Sequence, residues 1–306
     1  MTSIDRFLAD PAFARTGPAN DLPRLARARV VVAGTGGVAG AIANLERSGV
    51  GEFVLIDPDR VEAPNLGTQD YERADIGRFK VEALGRRLLR INPRVAVLAL
   101  AQPLESCTGN RMRELLRAPM SCLLRNPEAR PRAPSAMLLL GMTDHFPAQA
   151  MVNRVAVRES VPSLCVQIYR EGRAFELTFT HPGVTEACHR CILRRRYEAY
   201  EQGHRNEVGS AGSPLATTSA ANALTELVAM TLLHGREGAT RWSRLLTAMG
   251  RRNLVQMRLD PDVAETLGIG AFDRTFAGAD HNRLLVSEPI WLPQARDPRC
   301  PVCSLQ

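Results

Sequence analysis

The feature that most constrains this chain is an apolar run that leads directly into a glycine-rich turn, VVVAGTGGVAG, from Val30 to Gly40. A short, uninterrupted apolar run is typical of a strand buried on both faces, as in a parallel sheet. Gly34, Gly36 and Gly37 permit a tight turn into a helix, where backbone N–H groups can approach a phosphate. The turn therefore predicts a nucleotide-binding sheet, but it does not distinguish NAD from ATP.

Strand and helix signals alternate after this turn. Apolar runs and helical spacing predict, in order, strand 28–34, helix 40–49, strand 51–59, helix 77–91, strand 94–101, strand 136–144, helix 145–160 and strand 162–169. A hairpin partner at 172–183 and a small-residue-rich helix at 215–235 follow, and the tail from 241 to 306 predicts short strands and turns. This alternation indicates an α/β fold with a Rossmann-like, mostly parallel sheet and covering helices.

The organisation along the chain predicts one domain over residues 1–306. Residues 1–24 form an N-terminal segment before the first strand. Residues 103–134 contain one helical pattern and then a Pro/Arg-rich stretch, which indicates an exposed insertion. Residues 194–213 are polar, charged and punctuated by glycine, which predicts a mobile loop.

Charge and apolar patterning argue against two classes of partner. The formal net charge of +7 is spread along the chain, and aromatic residues, 5% of the total, do not interleave with the arginine runs, so no nucleic-acid groove is expected. No stretch of about 18 apolar residues occurs, and Asp5, Arg6 and Asp10 interrupt the short apolar stretches near residue 1. We therefore expect no membrane span, no signal peptide and a cytoplasmic protein.

Four of the seven cysteines form two CxxC pairs, Cys188 with Cys191 and Cys300 with Cys303. Two such pairs can supply the four thiolates of a tetrahedral structural Zn²⁺ site, and a reducing compartment keeps thiols available for metal. Disulfides or separate redox pairs are the alternatives, and His189 could substitute for one thiolate. Zinc bound by all four cysteines would tie the tail to the body of the chain, which predicts a zinc-clamped C-terminal region. The other cysteines are expected to pack as small apolar side chains: Cys107, Cys122 and Cys165.

Polar residues suited to a nucleotide follow the second predicted strand. Asp57 ends that strand about twenty residues after the glycine turn, where a carboxylate can accept hydrogen bonds from ribose. Lys80 is the single lysine among 39 basic residues, and its compact ammonium suits phosphate oxygens better than the planar fork of arginine. A lysine retained by chance is the alternative. The candidate set is Asp57, Asp59, Asn65, Gln69 and Lys80.

Asp144 ends a later predicted strand, in LLLGMTDHF. Open α/β sheets bind their ligands at the carboxyl ends of the strands. A carboxylate beside a triphosphate is costly unless it holds Mg²⁺ directly or through water. Asp144 is therefore the magnesium candidate, and an N-cap of the following helix is its alternative, compatible role.

The motifs together resemble one family. The run GTGGVAG…LERSGVGEFVLIDPDRVEAPNLGTQ…DIGRFKVEALGRRLLRINP, with TDHFPAQAMVN, CHRC and CPVC, is similar to the E1-like activating enzymes of the ThiF/MoeB/HesA branch over nearly the whole chain. The resemblance implies an adenylyltransferase that uses MgATP and releases pyrophosphate. Its implied partner is a small β-grasp protein, ubiquitin-like or sulfur-carrier, or a peptide with a C-terminal glycine, and its implied assembly is a homodimer.

The resemblance also implies a role for each candidate residue. The turn of Gly34, Gly36 and Gly37 would surround the nucleotide, and Asp57 would hold the ribose. The phosphates would be contacted by Asn65, Gln69 and Lys80, the magnesium would lie at Asp144, and the zinc cysteines would be structural. A carboxylate would attack the α-phosphorus in line, so the protein would mainly position two reactants and neutralise charge.

Three positions depart from the family pattern. The phosphate-touching arginine of the family's NLxRQ segment is replaced by Thr68. The glycine turn continues as Ala39–Gly40, and an arginine five residues after the magnesium aspartate is replaced by Gln149. Another arginine should compensate for the lost charge. The candidates are Arg73 and, from the N-terminal segment of a partner subunit, Arg6 or Arg15, and Arg6 is preferred because it lies in an Arg-aromatic element, DRF.

No cysteine occurs in 194–213, the crossover loop in which thioester-forming relatives carry theirs, and Cys165 in a predicted strand is a poor substitute. We therefore expect the activated carboxylate to pass directly to an external nucleophile, such as a sulfide donor, an amine or a partner's thiol. Two other classes stay open. One is a catalytically weak scaffold that binds a ubiquitin-like partner, and the other is a NAD-dependent oxidoreductase, which leaves Lys80, Asp144 and the cysteine pairs unexplained.

Overall fold

The computed structural model describes residues 3–120, 133–205, 212–236, 240–259 and 289–304. The strands are β1 (Ala28–Ala33), β2 (Glu52–Ile56), β3 (Ala96–Leu100), β4 (Ala136–Gly141), β5 (Ser163–Tyr169), β6 (Ala174–Thr180), β7 (Leu254–Arg258) and β8 (Ile290–Leu292). The helices are α1 (Ser3–Leu8), α2 (Leu22–Leu25), α3 (Ala39–Arg47), α4 (Lys80–Ile91), α5 (Gly109–Arg117), α6 (Phe146–Glu159), α7 (His189–Ile192), α8 (Arg194–Glu201), α9 (Leu215–His234) and α10 (Arg241–Met249). The strands form one sheet in the order β3-β2-β1-β4-β5-β6-β7-β8.

The first five strands form a parallel half-sheet that is covered on both faces. Alternate residues of β1 enter different cores. Val30 and Val32 pack with residues of α3, α4 and α9, whereas Val31 and Ala33 pack with residues of α5 and α6. All six residues of β1 are buried, as expected for a strand between two helical layers. The predicted α/β fold with a mostly parallel sheet and covering helices is confirmed.

The helix predicted at 77–91 begins later, at Lys80. Gly77 has a φ of +87°, in the left-handed region that favours glycine, so the chain turns there instead of continuing a helix. This turn places Lys80 in the first position of α4, at the end of that helix nearer the carboxyl ends of the strands. The later start of the helix therefore places Lys80 at the edge of the sheet where a ligand is expected.

The strands after β5 are antiparallel. β6 returns along β5 as the predicted hairpin partner, and β7 and β8 complete the edge. The prediction of only short strands and turns after 241 is wrong for α10, which Thr240 caps through its hydroxyl. Trp242, Leu246 and Met249 recur at helical spacing and are buried against α9 and the sheet, which explains the helix.

The prediction of a loop over 194–213 is wrong for its first eight residues, which form α8. Tyr197 is buried in a cluster with Phe146, and Tyr200 packs against the same cluster. Residues three apart lie on one face of a helix, so the two tyrosines provide an apolar stripe that the surrounding charges obscured. Residues 206–211 lie outside the described residues.

The region predicted as an insertion, 103–134, is described as far as 120 and from 133. Its predicted helix is α5, and Met112, Leu115 and Leu116 of α5 are buried beneath the sheet. The Pro/Arg-rich part from 121 to 132, including Cys122, lies outside the described residues. The exposed insertion and the single domain over 1–306 stay predictions.

The N-terminal segment packs at the amino end of β1. The rings of Phe7 and Phe13 stack 5.2 Å apart and cover Ala26. Asp10 pairs with Arg94 at 2.8 Å and thus ties the segment to the loop before β3. Among the helices that the structure describes, none is long and apolar enough to cross a membrane.

Candidate active site and cysteine cluster

The glycine turn after β1 is held against two neighbouring strands. Gly34 has a φ of +91°, and a Cβ at this position would lie 2.5 Å from the carbonyl oxygen of Met142, which follows β4. The Gly34 N–H donates to the Ile56 carbonyl at the end of β2. Because any larger residue would be strained and would clash with backbone, glycine is required here. The turn therefore lies at the carboxyl edge of the parallel half, where open α/β sheets bind ligands.

Asp57 fixes this turn from the end of β2. Its Oδ2 accepts the Thr35 N–H at 2.7 Å and the Thr35 hydroxyl at 3.1 Å, and its Oδ1 accepts the Asp59 N–H at 2.9 Å. Burial raises the pKa of Asp57, and these backbone donors and the nearby Lys80 oppose the rise. The carboxylate thus orders the turn and keeps lone pairs for further donors.

Lys80 lies beside these carboxylates. Its side chain is 9% exposed, and its Nζ is 2.9 Å from Asp59 Oδ2, whereas the Asp59 side chain is 62% exposed. The Tyr71 hydroxyl donates to the Thr35 carbonyl and contacts the Lys80 carbonyl, which joins the start of α4 to the glycine turn. The structure therefore brings together three of the predicted elements: the turn, the acidic pair and the lysine. The ammonium points to an exposed carboxylate that an anionic ligand can replace.

The segment between Asp59 and Lys80 supplies two amide side chains, those of Asn65 and Gln69. The Asn65 Oδ1 accepts the Glu62 N–H at 2.9 Å, which closes a short helical turn over Ala63–Gly67. The Gln69 Oε1 is buried and has no hydrogen-bond partner among the described residues. A Cβ at Gly36 would lie 3.5 Å from the Gln69 Nε2, so the amide faces the glycine turn. A buried, unsatisfied amide beside exposed backbone is a feature that a bound ligand can explain.

Thr68 has a contact that sequence reasoning missed. A Cβ at Gly212, which has a φ of +81°, would lie 2.7 Å from Thr68 Cγ2. The start of α9 also packs here, since a Cβ at Gly37 would lie 3.3 Å from Thr218 Cγ2. The chain leading into α9 therefore lies directly on the residue that replaces the family arginine. A large side chain at 68 would displace this chain, and no local sequence pattern signals the contact.

Asp144 is exposed in the loop between β4 and α6. The N-cap of α6 is His145, so the N-cap role considered for Asp144 is wrong. The Gln149 side chain, 1% exposed, donates to the Thr143 carbonyl at 2.6 Å and also bonds Gln167. Gln149 therefore anchors the loop that carries Asp144 to β5.

Arg6 and the glycine turn lie at opposite ends of β1. Arg6 is exposed on α1, which packs through Phe7 against Ala26, just before β1. A six-residue strand spans roughly 20 Å at about 3.3 Å per residue. Arg6 is thus remote from the glycine turn of its own chain. Arg73, exposed two residues after Tyr71, lies on the segment that borders the turn.

The four cysteines of the CxxC pairs meet in space. Their sulfur atoms all lie within 4.8 Å of one another, and the Sγ atoms are 3.7 Å apart for Cys188 and Cys300 and 3.5 Å apart for Cys191 and Cys303. Tetrahedral ligation at a Zn–S distance of about 2.3 Å requires sulfur atoms about 3.8 Å apart. The thiols are free, so the disulfide alternative does not hold here. The cluster could hold one metal ion.

His189 is not part of this cluster. Its Nδ1 lies 2.8 Å from the Tyr197 hydroxyl, and burial lowers the pKa of the imidazole to about 3. Cys165 packs against Gly141, and burial raises the pKa of its thiol to about 12. Cys107 is likewise buried. The apolar packing expected for Cys107 and Cys165 is confirmed, because both side chains are buried within the apolar core between the sheet and α5 and α6.

Curated relatives match most of the chain's length. The sulfur carrier protein adenylyltransferase of Thermus thermophilus is 31% identical over 196 residues, 62% of this chain and 64% of that protein. The SAMP-activating enzyme E1 of Haloferax volcanii is 30% identical over 63% of each chain. The sulfur carrier protein ThiS adenylyltransferase of Bacillus subtilis is 33% identical over 61% of this chain and 50% of that protein. The chain thus spans less than two thirds of the length of these relatives.

Solved structures show the same fold. The crystal structure of Escherichia coli MccB with ATP superimposes with a TM-score of 0.64 at 19% identity, covering 96% of this chain and 74% of that chain. At this identity the likeness concerns the fold alone. The ThiF family model matches residues 10–261, which include β1 to β7, the glycine turn and the first cysteine pair. The chain belongs to the ThiF family.

Proposed function

We propose that this protein adenylates the C-terminal carboxylate of a small ubiquitin-like or sulfur-carrier protein, or of a peptide ending in glycine, with ATP as the co-substrate. The observation that carries the proposal is the convergence of the glycine turn, Asp57, Asp59 and Lys80 at the carboxyl edge of the parallel half. The activities for which the Thermus, Haloferax and Bacillus relatives are named support the same reaction.

The site has the features that ATP binding requires. Gly34, Gly36 and Gly37 would let the nucleotide approach the backbone, and Asp57 would accept ribose hydroxyls with its remaining lone pairs. Asn65, Gln69 and Lys80 would contact the phosphates. The unpartnered Oε1 of Gln69 supports this assignment, because a ligand or its water would satisfy it. Lys80 would leave Asp59 for a phosphate, and Asp59 would then face Mg²⁺ or solvent.

Asp144 would hold Mg²⁺ from the opposite side of the site. Its carboxylate is exposed at the end of β4, next to the strand that leads into the glycine turn. Oxygen ligands from one or two carboxylates together with phosphates are the usual magnesium environment. When bound, the ion would neutralise charge on the phosphates.

The reaction would need no protein nucleophile. One oxygen of the substrate carboxylate forms a bond to the α-phosphorus, and the bond from that phosphorus to the bridging oxygen breaks as pyrophosphate leaves with the electron pair. Lys80 would stabilise the charge that moves onto the phosphates, and the glycine turn would hold the α-phosphate in line. Because the buried Cys165 is unsuited to a thioester, the acyl-adenylate would pass to an external sulfide donor, amine or thiol.

The four-cysteine cluster would bind a structural Zn²⁺. The spacing of its sulfur atoms fits tetrahedral ligation, and all four positions are filled by protein, which leaves no open site for chemistry. A reducing compartment such as the cytoplasm would keep the thiols available. Zinc would join residues 188–191 to 300–303.

A homodimer would supply the missing positive charge. Arg6 lies at the amino end of β1, so it would reach a nucleotide only in a partner subunit. Arg15, exposed on the same segment, and Arg73 of the same chain are the other donors. The catalytic set is thus Lys80 and Asp144 with Arg6 of the partner, and no nucleic acid or membrane takes part.

Carrier-dependent exchange of labelled pyrophosphate into ATP tests the proposal. Carrier proteins and peptides that end in glycine, encoded near this chain or taken from the relatives' systems, should give exchange that requires Mg²⁺. Lys80→Ala and Asp144→Asn should lower the rate at least about 100-fold, whereas Arg111→Ala on the remote helix α5 should leave it unchanged.

Two other results would favour a different function. Carrier binding without exchange would favour the scaffold, which the loss of arginine at Thr68 and Gln149 makes reasonable. Thermal stabilisation by NAD and not by ATP with Mg²⁺ would favour an oxidoreductase.

A further inference from the structure

Helix α6 is bonded directly to the first CxxC turn. The Asn153 Oδ1 accepts the His189 N–H at 3.1 Å, and the Asn153 Nδ2 lies 3.7 Å from Cys188 Sγ. Asn153 is fully buried and His189 is 2% exposed. A buried amide therefore joins α6 directly to the first CxxC turn.

A second connection runs through aromatic rings to the start of α6. The His189 Nδ1 lies 2.8 Å from the Tyr197 hydroxyl, and the Tyr197 ring meets the Phe146 ring edge to face at 4.7 Å between centroids. Tyr200 packs on the same ring at 4.5 Å. Phe146 is the first residue of α6 and follows Asp144 by two positions. The rings thus lie between the cysteine cluster and the Asp144 loop.

Helix α8, which carries both tyrosines, is also bonded to the sheet through Arg196. The Arg196 guanidinium donates to Glu176 at 2.8 Å and to the Tyr169 hydroxyl. The Glu176 side chain is 4% exposed and the Arg196 side chain is 28% exposed, so this ion pair is partly removed from solvent. Partly buried charge pairs of this kind resist separation, since either partner alone would lose its compensation.

The Asp144 loop is held by contacts of its neighbours, among them His145 Nδ1, which lies 2.8 Å from Glu105 Oε1. Gln149 bonds the Thr143 carbonyl on one side, and Phe146 is held by the tyrosines on the other. Within the described part of the chain, no hydrogen bond or ion pair fixes the Asp144 carboxylate. Its position therefore depends on these neighbouring contacts.

We propose that Phe146 and Tyr197 are positioning residues that hold one side of the Asp144 loop in place for magnesium while the cysteine cluster is assembled. The inference rests on the proposed function for the role of Asp144, but the coupling between the two regions can be measured without it. Loss of the metal would free α7, and His189 would then no longer hold Tyr197 against Phe146.

Hydrogen–deuterium exchange and magnesium dependence together test this coupling in the full, metal-bound chain. Tyr197→Ala should raise amide exchange in residues 141–148 and raise the half-saturating Mg²⁺ concentration for pyrophosphate exchange about three- to tenfold, as expected from loss of an aromatic pair. Affinity for ATP without Mg²⁺ should stay unchanged, which separates positioning from a general loss of the site. Tyr197→Leu keeps an apolar side chain in this cluster and serves as a second variant in case Tyr197→Ala does not fold. Trp291→Ala, which removes the edge-to-face partner of Phe179 in the antiparallel part, is the matched control and should change neither quantity.

Removal of the cysteine-bound metal with a chelator is the second part of the test. Removing the metal from the parent protein should raise exchange in 141–148 as far as Tyr197→Ala does, and chelation of Tyr197→Ala should add nothing further there. The proposal is overturned if Tyr197→Ala and Tyr197→Leu exchange like the parent at 141–148, or if chelation loosens 188–201 alone. If no carrier gives pyrophosphate exchange, the proposed function fails, and amide exchange at 141–148 still decides the coupling.

Discussion

The parallel half of the sheet and the cysteine-bound half, comprising β6 to β8, α7, α8 and residues 297–304, share an apolar core at β6 and β7 but differ around the four cysteines. In the parallel half, every residue of β1 and β2 is buried between two helical layers. In the cysteine-bound half, residues 188–191 meet 300–303 through four thiols, and β8 is only half-buried. A continuous apolar core distributes stability over many side chains, whereas a metal bound by the four thiols would concentrate it in four. The halves should therefore respond differently to single substitutions.

Cys300→Ser should give the largest effect. Loss of one of four ligands should release the metal and lower the free energy of unfolding by several kcal/mol, because structural zinc sites contribute directly to folding. Metal content and thermal unfolding check this. Cys107→Ser, a buried cysteine in the parallel half, is the control and should keep the metal. A Cys300→Ser protein that retains metal and melts with the parent would contradict the comparison.

The parallel half contains a buried ion pair within its mainly apolar core. Arg29 is fully buried and bonds Glu52 at 2.8 Å and the carbonyls of Leu115 and Ala118. Glu52→Ala should destabilise the protein by about 3–5 kcal/mol, because it leaves a buried charge unpaired. Urea unfolding measures this. Replacing both partners with apolar residues, Arg29→Met with Glu52→Leu, should restore much of the loss, and an equal loss in the double variant would show that the charge itself is needed.

Glu46 should make the parallel half sensitive to pH. Both of its carboxyl oxygens are buried without a hydrogen-bond partner among the described residues, and burial raises the pKa to about 8, with Arg47 opposing the rise. The folded state therefore keeps a proton that the unfolded state loses above about pH 4.5. Stability from this group is complete below that pH and falls, by at most about 1.4 kcal/mol per pH unit, as the pH rises to about 8.

Glu46→Gln removes this titration, so its stability advantage over the parent should grow between pH 5 and about 8 and then level off. Chemical unfolding at pH 5, 6.5 and 8 measures the difference. A difference that does not vary with pH would show that Glu46 stays ionised in the folded protein.

Exposed ion pairs should give the smallest effects in both halves. Arg111 pairs with Glu114 on α5, and Arg251 pairs with Glu186 near the first CxxC, all with exposed side chains. Solvent screening leaves such pairs worth about 0.5 kcal/mol or less. Arg111→Ala and Arg251→Ala should thus unfold within that margin of the parent. A larger loss for Arg251→Ala alone would mean that the cysteine-bound half depends on its surface charges.

The sequence predicted the parts that local patterns determine. Apolar runs and glycine spacing located β1 and its turn, and the rarity of lysine singled out Lys80, which the structure indeed places beside Asp59. The two CxxC pairs predicted their own meeting across more than a hundred residues, since metal ligation requires it. These signals depend on residue type and short spacing alone.

The remaining features depend on contacts between distant segments. The apolar stripe of α8 consists of two tyrosines within a charged run, so its helix follows from packing against Phe146 and not from composition. The contact between Thr68 and Gly212, and the bond from Gln149 to Thr143, depend on side-chain directions that no local pattern specifies. The helix α10 is different, because the spacing of Trp242, Leu246 and Met249 alone was enough to predict it.

Calorimetric titration with ATP, with and without Mg²⁺, tests most directly whether the carboxyl edge of the parallel half is the nucleotide site. The parent should bind ATP with Mg²⁺ more tightly than NAD, and Lys80→Ala should weaken ATP binding about 10- to 100-fold, as expected for loss of a charge-assisted hydrogen bond. Arg111→Ala should bind as the parent does. Equal ATP affinity in the parent and Lys80→Ala, with both proteins folded, would contradict the account.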